Sequence, residues 1–205
     1  DKMQLKTLLT ATLLSAALTY GEVMAADIQK LPQPNLKQSL PGLLELINNR
    51  HSERAYDKDK LVDDQTLSEI LWAAFGVNQH GKRTIPTALN QQNLKVFVLR
   101  SDGIWFYNAK DNKLEKISDE NAVIYAAEQQ KFALDTPVHL VYTSSDQRWG
   151  YAHAGSAYQN VYLYATAKGL STVIRGSVNA DQLHRALKLN DDEFVIADQP
   201  IGYAK

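Results

Sequence analysis

The sequence predicts an α+β fold in which helices flank a central mixed β-sheet. Residues 94–117 hold three strand-forming runs separated by two turn signals, which is the pattern of a meander. Residues 137–144 form a nearly continuous apolar run, which suits the centre of a sheet. Helical and strand patterns then follow one another without strict βαβ alternation, so an α+β sandwich fits best.

The N-terminal half begins with an arm and two helices. Asp27–Ser39 contains two prolines and little periodicity, which predicts a linker or a dimer arm. Apolar residues at helical spacing over 40–47 predict a helix of about three turns. Thr66 and Glu69 have the spacing of a capping box, which predicts a second helix ending near Gly76.

The remaining elements follow in order after an irregular polar stretch. The three strands of the meander are expected at 94–100, 104–108 and 114–117. Behind them the pattern predicts a helix over 119–133, the apolar strand over 137–144, a helix over 154–168 closed by Gly169, a strand over 171–176, a helix over 180–187 and a strand over 193–203. Residues 40–205 are therefore expected to form one domain.

Composition limits the possible functions. The chain has 205 residues and a net charge of −1, which argues against a dedicated nucleic-acid binder. It contains no cysteine, so disulfides, thiolate chemistry and cysteine-bound zinc are excluded. The histidines share no metal-ligand spacing, and no metal site is predicted.

Residues 1–26 are predicted to hold a short remnant before Met3, followed by a signal peptide. Lys6 supplies a positive start, residues 8–18 an apolar segment, and residues 23–25 a cleavage site of small residues. The apolar segment is too short to span a bilayer, so no stable membrane insertion is expected after cleavage. The protein is thus predicted to be periplasmic or secreted, or cytoplasmic if this segment is not a signal.

A basic cluster follows the first predicted helix. Arg50, His51, Ser52 and Arg54 place two guanidiniums, an imidazole and a hydroxyl within five residues. Guanidinium forks and a hydroxyl together can hold a phosphate group. The alternative is that this run is solvated surface.

Five segments, in order, resemble the FMN-dependent nitroreductase family, most closely its SagB-type or nitroreductase-like flavoprotein branch. They are RHSER, ILWAAFGVNQ, KRTIPTALNQQNLKVFVL, AGSAYQNVYLYATAKGLSTVIRG and FVIADQPIGYAK. The resemblance runs from residue 40 to the C-terminus. It implies a nitroreductase-like fold and an intertwined homodimer with FMN bound between the subunits.

The resemblance assigns cofactor roles by position. Arg50, Ser52 and Arg54 would hold the FMN phosphate and ribityl chain, with His51 beside them. Lys205 is a further phosphate candidate. These cations suit a dianionic phosphate.

The isoalloxazine ring is assigned to two other segments. Residues of the first segment would line the ring or form hydrogen bonds with its pyrimidine edge. Side-chain amides match the alternating donors and acceptors of that edge. The second would pass close to N5. The residues are Pro86, Thr87, Ala88, Asn90 and Gln92 in the first segment, and Arg175 and Gly176 in the second. Arg83 is a candidate for the phosphate or the flavin edge, and the cation of Arg175 or Arg83 is a candidate to stabilise reduced flavin.

The resemblance implies an oxidoreductase in which the flavin carries the chemistry and no side chain acts as a nucleophile or base. A reduced donor, NAD(P)H in the family, would reduce the flavin, and a nitroaromatic, quinone or similar small molecule would reoxidise it in a ping-pong cycle. The predicted export conflicts with an NAD(P)H donor. Two alternatives therefore remain: an exported flavin-binding protein that uses another redox partner, and a domain that kept the fold but lost the cofactor. Thr87 replaces the usual serine, and NQQNL departs from the usual strand start, which puts the substrate in doubt.

Overall fold

The structure, a computed structural model, describes residues 27–128 and 130–205. The predicted signal peptide lies outside the described residues. The strands are β1 (Ile28–Lys30), β2 (Leu94–Arg100), β3 (Gly103–Asn108), β4 (Lys113–Ser118), β5 (Val138–Ser144), β6 (Leu170–Thr172) and β7 (Phe194–Tyr203). The helices are α1 (Leu43–Asn49), α2 (Asp64–Phe75), α3 (Val123–Ala127), α4 (Lys131–Leu134), α5 (Gly150–Lys168) and α6 (Ala180–Ala186), with a 3₁₀ turn at Ala88–Asn90.

The strands form one sheet in the order β1-β4-β3-β2-β5-β7-β6. The meander β2-β3-β4 occupies the predicted residues, and the α+β class with a helix-flanked central sheet is confirmed. The strand directions differ from those of the predicted mixed sheet, because every pair of neighbouring strands within the described residues is antiparallel. β5 and β6 do run in the same direction, but β7 returns and inserts between them. The two parallel strands are therefore not neighbours, as they would be in a mixed sheet.

Both faces of the sheet are covered. On β2, Val96 and Val98 belong to a core shared with α2 and α5, whereas Phe97 and Leu99 belong to a core shared with α3 and α6. Successive strand residues point to opposite faces, so a strand buried on both faces is apolar at consecutive positions. This explains the continuous apolar run of LKVFVL.

Helix α5 crosses one face of the sheet and contributes His153 and Tyr162 to the site described below. Its buried small residues Ala154, Ala157, Val161 and Ala165 follow the spacing of one helical stripe. Gly169 ends the helix in the left-handed conformation, with φ of 66°. Helix α5 packs closely on α2 because small side chains let the two helices approach each other.

The arm predicted as a linker is fastened to the body of the chain. β1 pairs with the edge strand β4, and Leu31 is buried in the core. The backbone N–H of Asn35 and the amide of Gln38 both donate to the buried carboxylate of Glu69. Residues 27–39 are thus not a free linker, and Glu69 holds the arm instead of closing a capping box. Asp63 caps α2, because its side chain accepts the Thr66 N–H.

The helix predicted over 119–133 is broken in two. Glu128 has a φ of 52°, a left-handed conformation that ends α3 before α4 begins. The carbonyl groups of Ala126 and Ala127, which a continuous helix would use internally, accept hydrogen bonds from Arg175, and that of Ala127 also accepts the N–H of Gln130. A contact distant in sequence therefore interrupts the helix. Within the described ranges, no helix is long and apolar enough to cross a membrane.

Candidate functional site

The basic cluster lies in extended backbone beside the end of β6. The N–H of Glu53 donates to the carbonyl of Thr172 at 3.0 Å, which fixes the segment against the strand. Arg50 places its guanidinium over the ring of Tyr162, 5.0 Å from the ring centroid. Ser52 and Arg54 are exposed on the same segment.

Tyr162 on α5 connects the cluster to the segment that follows β6. Its side chain is only 4% exposed, and its hydroxyl lies 2.9 Å from the hydroxyl of Ser52. The same hydroxyl accepts the N–H of Ile174 at 2.8 Å. Residues 50–54 and 174–176 are therefore brought together by one buried oxygen. Neither partner of its hydroxyl is visible in a helical pattern, so the sequence alone does not reveal this role of Tyr162.

The donor set around Arg50 fits an anion. No ion pair among the described residues involves Arg50 or Arg54. The backbone N–H of Lys205 donates to the carbonyl of Ala55, so the last residue of the chain lies next to this segment. Two guanidiniums, an ammonium and a hydroxyl are the donors that a phosphate group requires. The residues predicted to bind a phosphate thus lie on one segment, with the backbone of Lys205 beside it.

Glu53 contributes the one carboxylate within this segment. Its Oε1 accepts the backbone N–H groups of Arg54 and Ala55, and its Oε2 lies 3.6 Å from the Nε2 of His51. The N–H of Ala55, followed by that of Arg54, lowers the pKa of Glu53. The carboxylate therefore fastens the turn of the segment rather than pairing with either guanidinium.

Arg175 is buried, and its guanidinium is used inside the protein. Nε donates to Gln130, Nη1 to the carbonyl of Ala126 and the carboxylate of Asp198, and Nη2 to the carbonyls of Ala127 and Ser177. The five N–H groups of the side chain are thereby satisfied. The side chain is unavailable to a ligand, which removes the expected direct contact of this cation with a flavin. The backbone N–H and carbonyl of Arg175 are also paired, with Asp198, so of these two residues the exposed Gly176 is the one left to face a flavin.

The first segment predicted to contact the isoalloxazine ring, residues 86–92, is a strained loop. Leu89, Asn90 and Gln92 have φ values of 52°, 55° and 53°, in the left-handed region that non-glycine residues rarely adopt. The Gln92 N–H donates to the Thr87 hydroxyl, which closes the loop. Such strain persists only where the surroundings impose it, and it is frequent at ligand sites.

His153 on α5 holds this loop in place through a hydrogen bond. Its Nε2 accepts the N–H of Ala88 at 2.8 Å, and its side chain is 4% exposed. A cavity of about 360 Å³ lies beside the contact, and its lining includes Pro86, Thr87 and Trp149. Sequence reasoning did not find His153, which was considered only as a metal ligand.

Arg83 belongs to the loop and not to the basic cluster. Its Nε donates to the Gln92 side chain, whose amide donates in turn to Asn90. Its guanidinium lies over the ring of Phe75, 4.3 Å from the centroid, and burial lowers the pKa of Arg83. No contact in the described part of the chain joins Arg83 to residues 50–54.

The two halves of the candidate site lie on different sides of α5. Tyr162 holds one half and His153 the other, nine positions apart along one regular helix. Nine residues correspond to about 13.5 Å along the axis and about two and a half turns around it. The two side chains therefore leave α5 on opposite sides, and one chain does not bring its own two halves face to face.

The antiparallel sheet is crossed by the long helix α5, and Tyr162 on this helix joins the basic segment 50–54 to residues 174–176. This arrangement defines the nitroreductase-like class of α+β proteins. The chain belongs to the nitroreductase family, whose family model matches residues 47–203. It is therefore an oxidoreductase.

Individual relatives agree with this assignment. MJ1384 of Methanocaldococcus jannaschii, a protein assigned as a nitroreductase, is 28% identical over 197 residues, which cover 86% of this chain and 97% of MJ1384. A crystal structure from Ralstonia eutropha JMP134, also assigned as a nitroreductase, is 30% identical with a TM-score of 0.78, and the match covers 89% of this chain and 91% of that one. A Desulfovibrio desulfuricans structure in complex with FMN is 24% identical with a TM-score of 0.61, covering 81% and 88% of the two chains, and supports the fold.

Proposed function

We propose that this protein is an FMN-dependent oxidoreductase. The observation that carries the proposal is the junction at Tyr162: its buried hydroxyl contacts Ser52 and accepts the Ile174 N–H, the Arg50 guanidinium lies over its ring, and the backbone of Lys205 lies beside Ala55. The sequence resemblance assigns these positions to a single cofactor. Family membership and the FMN in the Desulfovibrio relative support the same cofactor here.

Each part of the site would have a separate task. The cations of Arg50, Arg54 and Lys205 would hold the phosphate, and Ser52 would orient it. The backbone of residues 174–176 would face the ring edge, and Pro86–Ala88 would line the ring. Bound FMN would supply the chemistry by accepting a hydride equivalent at N5 and passing it to the second substrate. The protein binds, orients and shields the ring, so no nucleophilic or basic side chain is required.

We also propose that two copies assemble around each flavin. The two halves of the site leave α5 on opposite sides, so the loop of one copy can complete the basic cluster of another. Helix α1, next to the cluster, has no buried residue, and Leu43, Leu44 and Ile47 on it are 61%, 81% and 50% exposed. A second copy covering this face would bury apolar surface that is otherwise in water.

The dimer is tested by sedimentation with Leu44→Glu. A charge in the middle of an apolar contact should convert the dimer to a monomer and weaken FMN binding at the same time. Lys58→Glu, an exposed charge change outside α1, is the control. A monomeric unaltered protein that binds FMN fully would contradict the proposed assembly.

The flavin proposal is tested by reconstitution with FMN. Arg50→Ala and Arg54→Ala should each raise the FMN dissociation constant by about 10- to 100-fold, because each removes a charge-assisted contact with the phosphate. Lys58→Ala, which removes a nearby exposed cation, should leave it unchanged. An unaltered protein that stays colourless after loading with excess FMN would refute the proposal and favour a domain that has lost its cofactor.

The donor and the location follow from separate experiments. We propose a ping-pong cycle with NAD(P)H as donor and a nitroaromatic, quinone or similar acceptor. Anaerobic mixing with NADH or NADPH should bleach the flavin, whereas an exported protein served by another redox partner would stay yellow.

Export to the periplasm is proposed from the N-terminal segment alone. Mass spectrometry of the protein from a periplasmic extract should show the N-terminus at residue 26 or 27.

A further inference from the structure

A buried histidine lies in the interior of the sheet next to Arg175. His139 on β5 is fully buried, its Nδ1 is 2.9 Å from Oδ1 of Asp198, and its Nε2 is 2.8 Å from the carbonyl oxygen of Ala133. Both ring nitrogens thus face oxygen acceptors. A neutral imidazole carries only one N–H, so it would leave a lone pair pointing at an oxygen. With a carboxylate at Asp198, this geometry requires a proton on each nitrogen.

Asp198 remains a carboxylate in this arrangement. Its Oδ2 accepts a hydrogen bond of 2.6 Å from Nη1 of Arg175, and a neighbouring guanidinium favours the charged form of a carboxyl group. One negative charge then stands between two positive ones. No other ion pair in residues 27–128 and 130–205 involves His139, Asp198 or Arg175, so the cluster carries a net charge of +1.

The groups around the cluster do not cancel this charge. Burial, followed by the charge of Asp198, raises the pKa of both Tyr56 and Tyr142, so both hydroxyls stay neutral. Glu128 bonds the Ser177 hydroxyl and is exposed to solvent, which screens its charge. The positive charge is therefore a property of the protein interior.

The same cluster fixes the backbone that precedes Gly176. The N–H of Arg175 donates to the Asp198 carbonyl at 2.7 Å, and the N–H of Asp198 donates to the Arg175 carbonyl at 2.9 Å. Gly176, the next residue, is exposed, and a Cβ added there would meet no atom within 4 Å. The cluster thus lies directly behind an open stretch of backbone.

We propose that His139 is held as an imidazolium and that, with Asp198 and Arg175, it forms a buried cationic cluster that positions residues 174–176 and favours the reduced flavin. This rests on the proposed function, because it requires the flavin edge to face that backbone. His139 acts through Asp198 and Arg175, so it is a positioning residue. A positive charge held in a medium of low polarity stabilises the extra negative charge of a reduced ring.

The protonation state of His139 is tested without any flavin. Nitrogen-15 NMR of the apoprotein in neutral buffer, with the His139 ring signals assigned by through-bond correlation to its own backbone, should show two protonated ring nitrogens. A single protonated nitrogen would overturn the proposal. This measurement uses the unaltered protein, so it decides the matter even if the variant does not fold.

The effect on the flavin is tested by redox potentiometry of the FMN-loaded protein. His139→Gln keeps a hydrogen-bonding side chain but removes the cation, so reduced FMN should lose about tenfold in affinity relative to oxidised FMN. That ratio corresponds to a midpoint potential lower by about 30 mV. His80→Gln, the same change at an exposed site, should leave the potential unchanged.

The outcomes separate this proposal from the proposed function. A folded His139→Gln protein with an unchanged potential would overturn the cluster's role, although FMN binding would stand. Failure of the unaltered protein to bind FMN would overturn the proposed function and the flavin part of this proposal. A lowered potential with a doubly protonated His139 would establish it.

Discussion

Tyr162→Phe is the sharpest test of the junction between the basic cluster and the segment after β6. The change removes one oxygen atom and keeps the ring under the Arg50 guanidinium. That oxygen accepts the Ile174 N–H and contacts the Ser52 hydroxyl. Ser52 is exposed and can bond water instead, whereas the Ile174 N–H lies against a side chain that is 4% exposed. The main cost is therefore one unsatisfied buried donor, about 1–3 kcal/mol.

Urea unfolding of the apoprotein measures this loss of stability. Tyr158→Phe is the matched control, because it removes a hydroxyl from the same helix that makes no hydrogen bond within the described residues. It should change the free energy of unfolding by less than about 0.5 kcal/mol. If Tyr162→Phe is as stable as Tyr158→Phe, the hydroxyl does not join the two segments.

The same variant should bind FMN less tightly. Residues 50–54 and 174–176 would no longer share a fixed partner, and the loss of about one neutral hydrogen bond corresponds to an approximately fivefold weaker affinity. A fluorescence titration with FMN measures this change. An unaltered affinity combined with reduced stability would mean that the two segments do not meet at one ligand.

Further predictions concern three other contacts. Glu69→Gln should lower the free energy of unfolding by about 3 kcal/mol, because an amide cannot accept all the donors around that buried carboxylate. Burial raises the pKa of Glu69, but the hydrogen bonds outweigh burial and the net pKa is lowered. The stability that the carboxylate contributes is therefore present above the usual pKa of 4.5 and is lost as the pH falls through the lowered pKa. Urea unfolding across acid pH should show that loss in the unaltered protein and not in Glu69→Gln. His153→Leu should weaken FMN binding about fivefold by releasing the Ala88 N–H, whereas His153→Gln, which keeps an acceptor, should restore most of the affinity in the same titration. Trp149, 45% exposed beside the loop, should account for most of the tryptophan quenching on FMN binding, so Trp149→Phe should remove most of that quenching.

The sequence predicted the parts of the fold that depend on local periodicity. The meander and the long helix α5 were expected at nearly their observed residues, because alternating and helical patterns are properties of neighbouring positions. The break between α3 and α4 was not predicted. It depends on Arg175, about fifty positions away, taking two helical carbonyl groups.

The candidate site was predicted as residue types but not as geometry. Arg50, Ser52 and Arg54 could be named as phosphate-binding candidates because they stand together in sequence, and the resemblance added Lys205. The resemblance did not indicate that every N–H of the Arg175 side chain is hydrogen-bonded inside the protein. It also did not indicate that the Tyr162 hydroxyl connects residues 50–54 to residues 174–176. Such contacts depend on side chains that meet only in the folded chain.

The basic segment also closes one border of the sheet. β6 is the last strand in the order, and Glu53 covers it by donating its N–H to the Thr172 carbonyl, while Tyr56 bridges to Ala204. An uncovered border strand offers its backbone to other chains and promotes aggregation. A ligand that steadies this segment would therefore also protect the protein against self-association, and release of the ligand on heating should be the step at which aggregation begins.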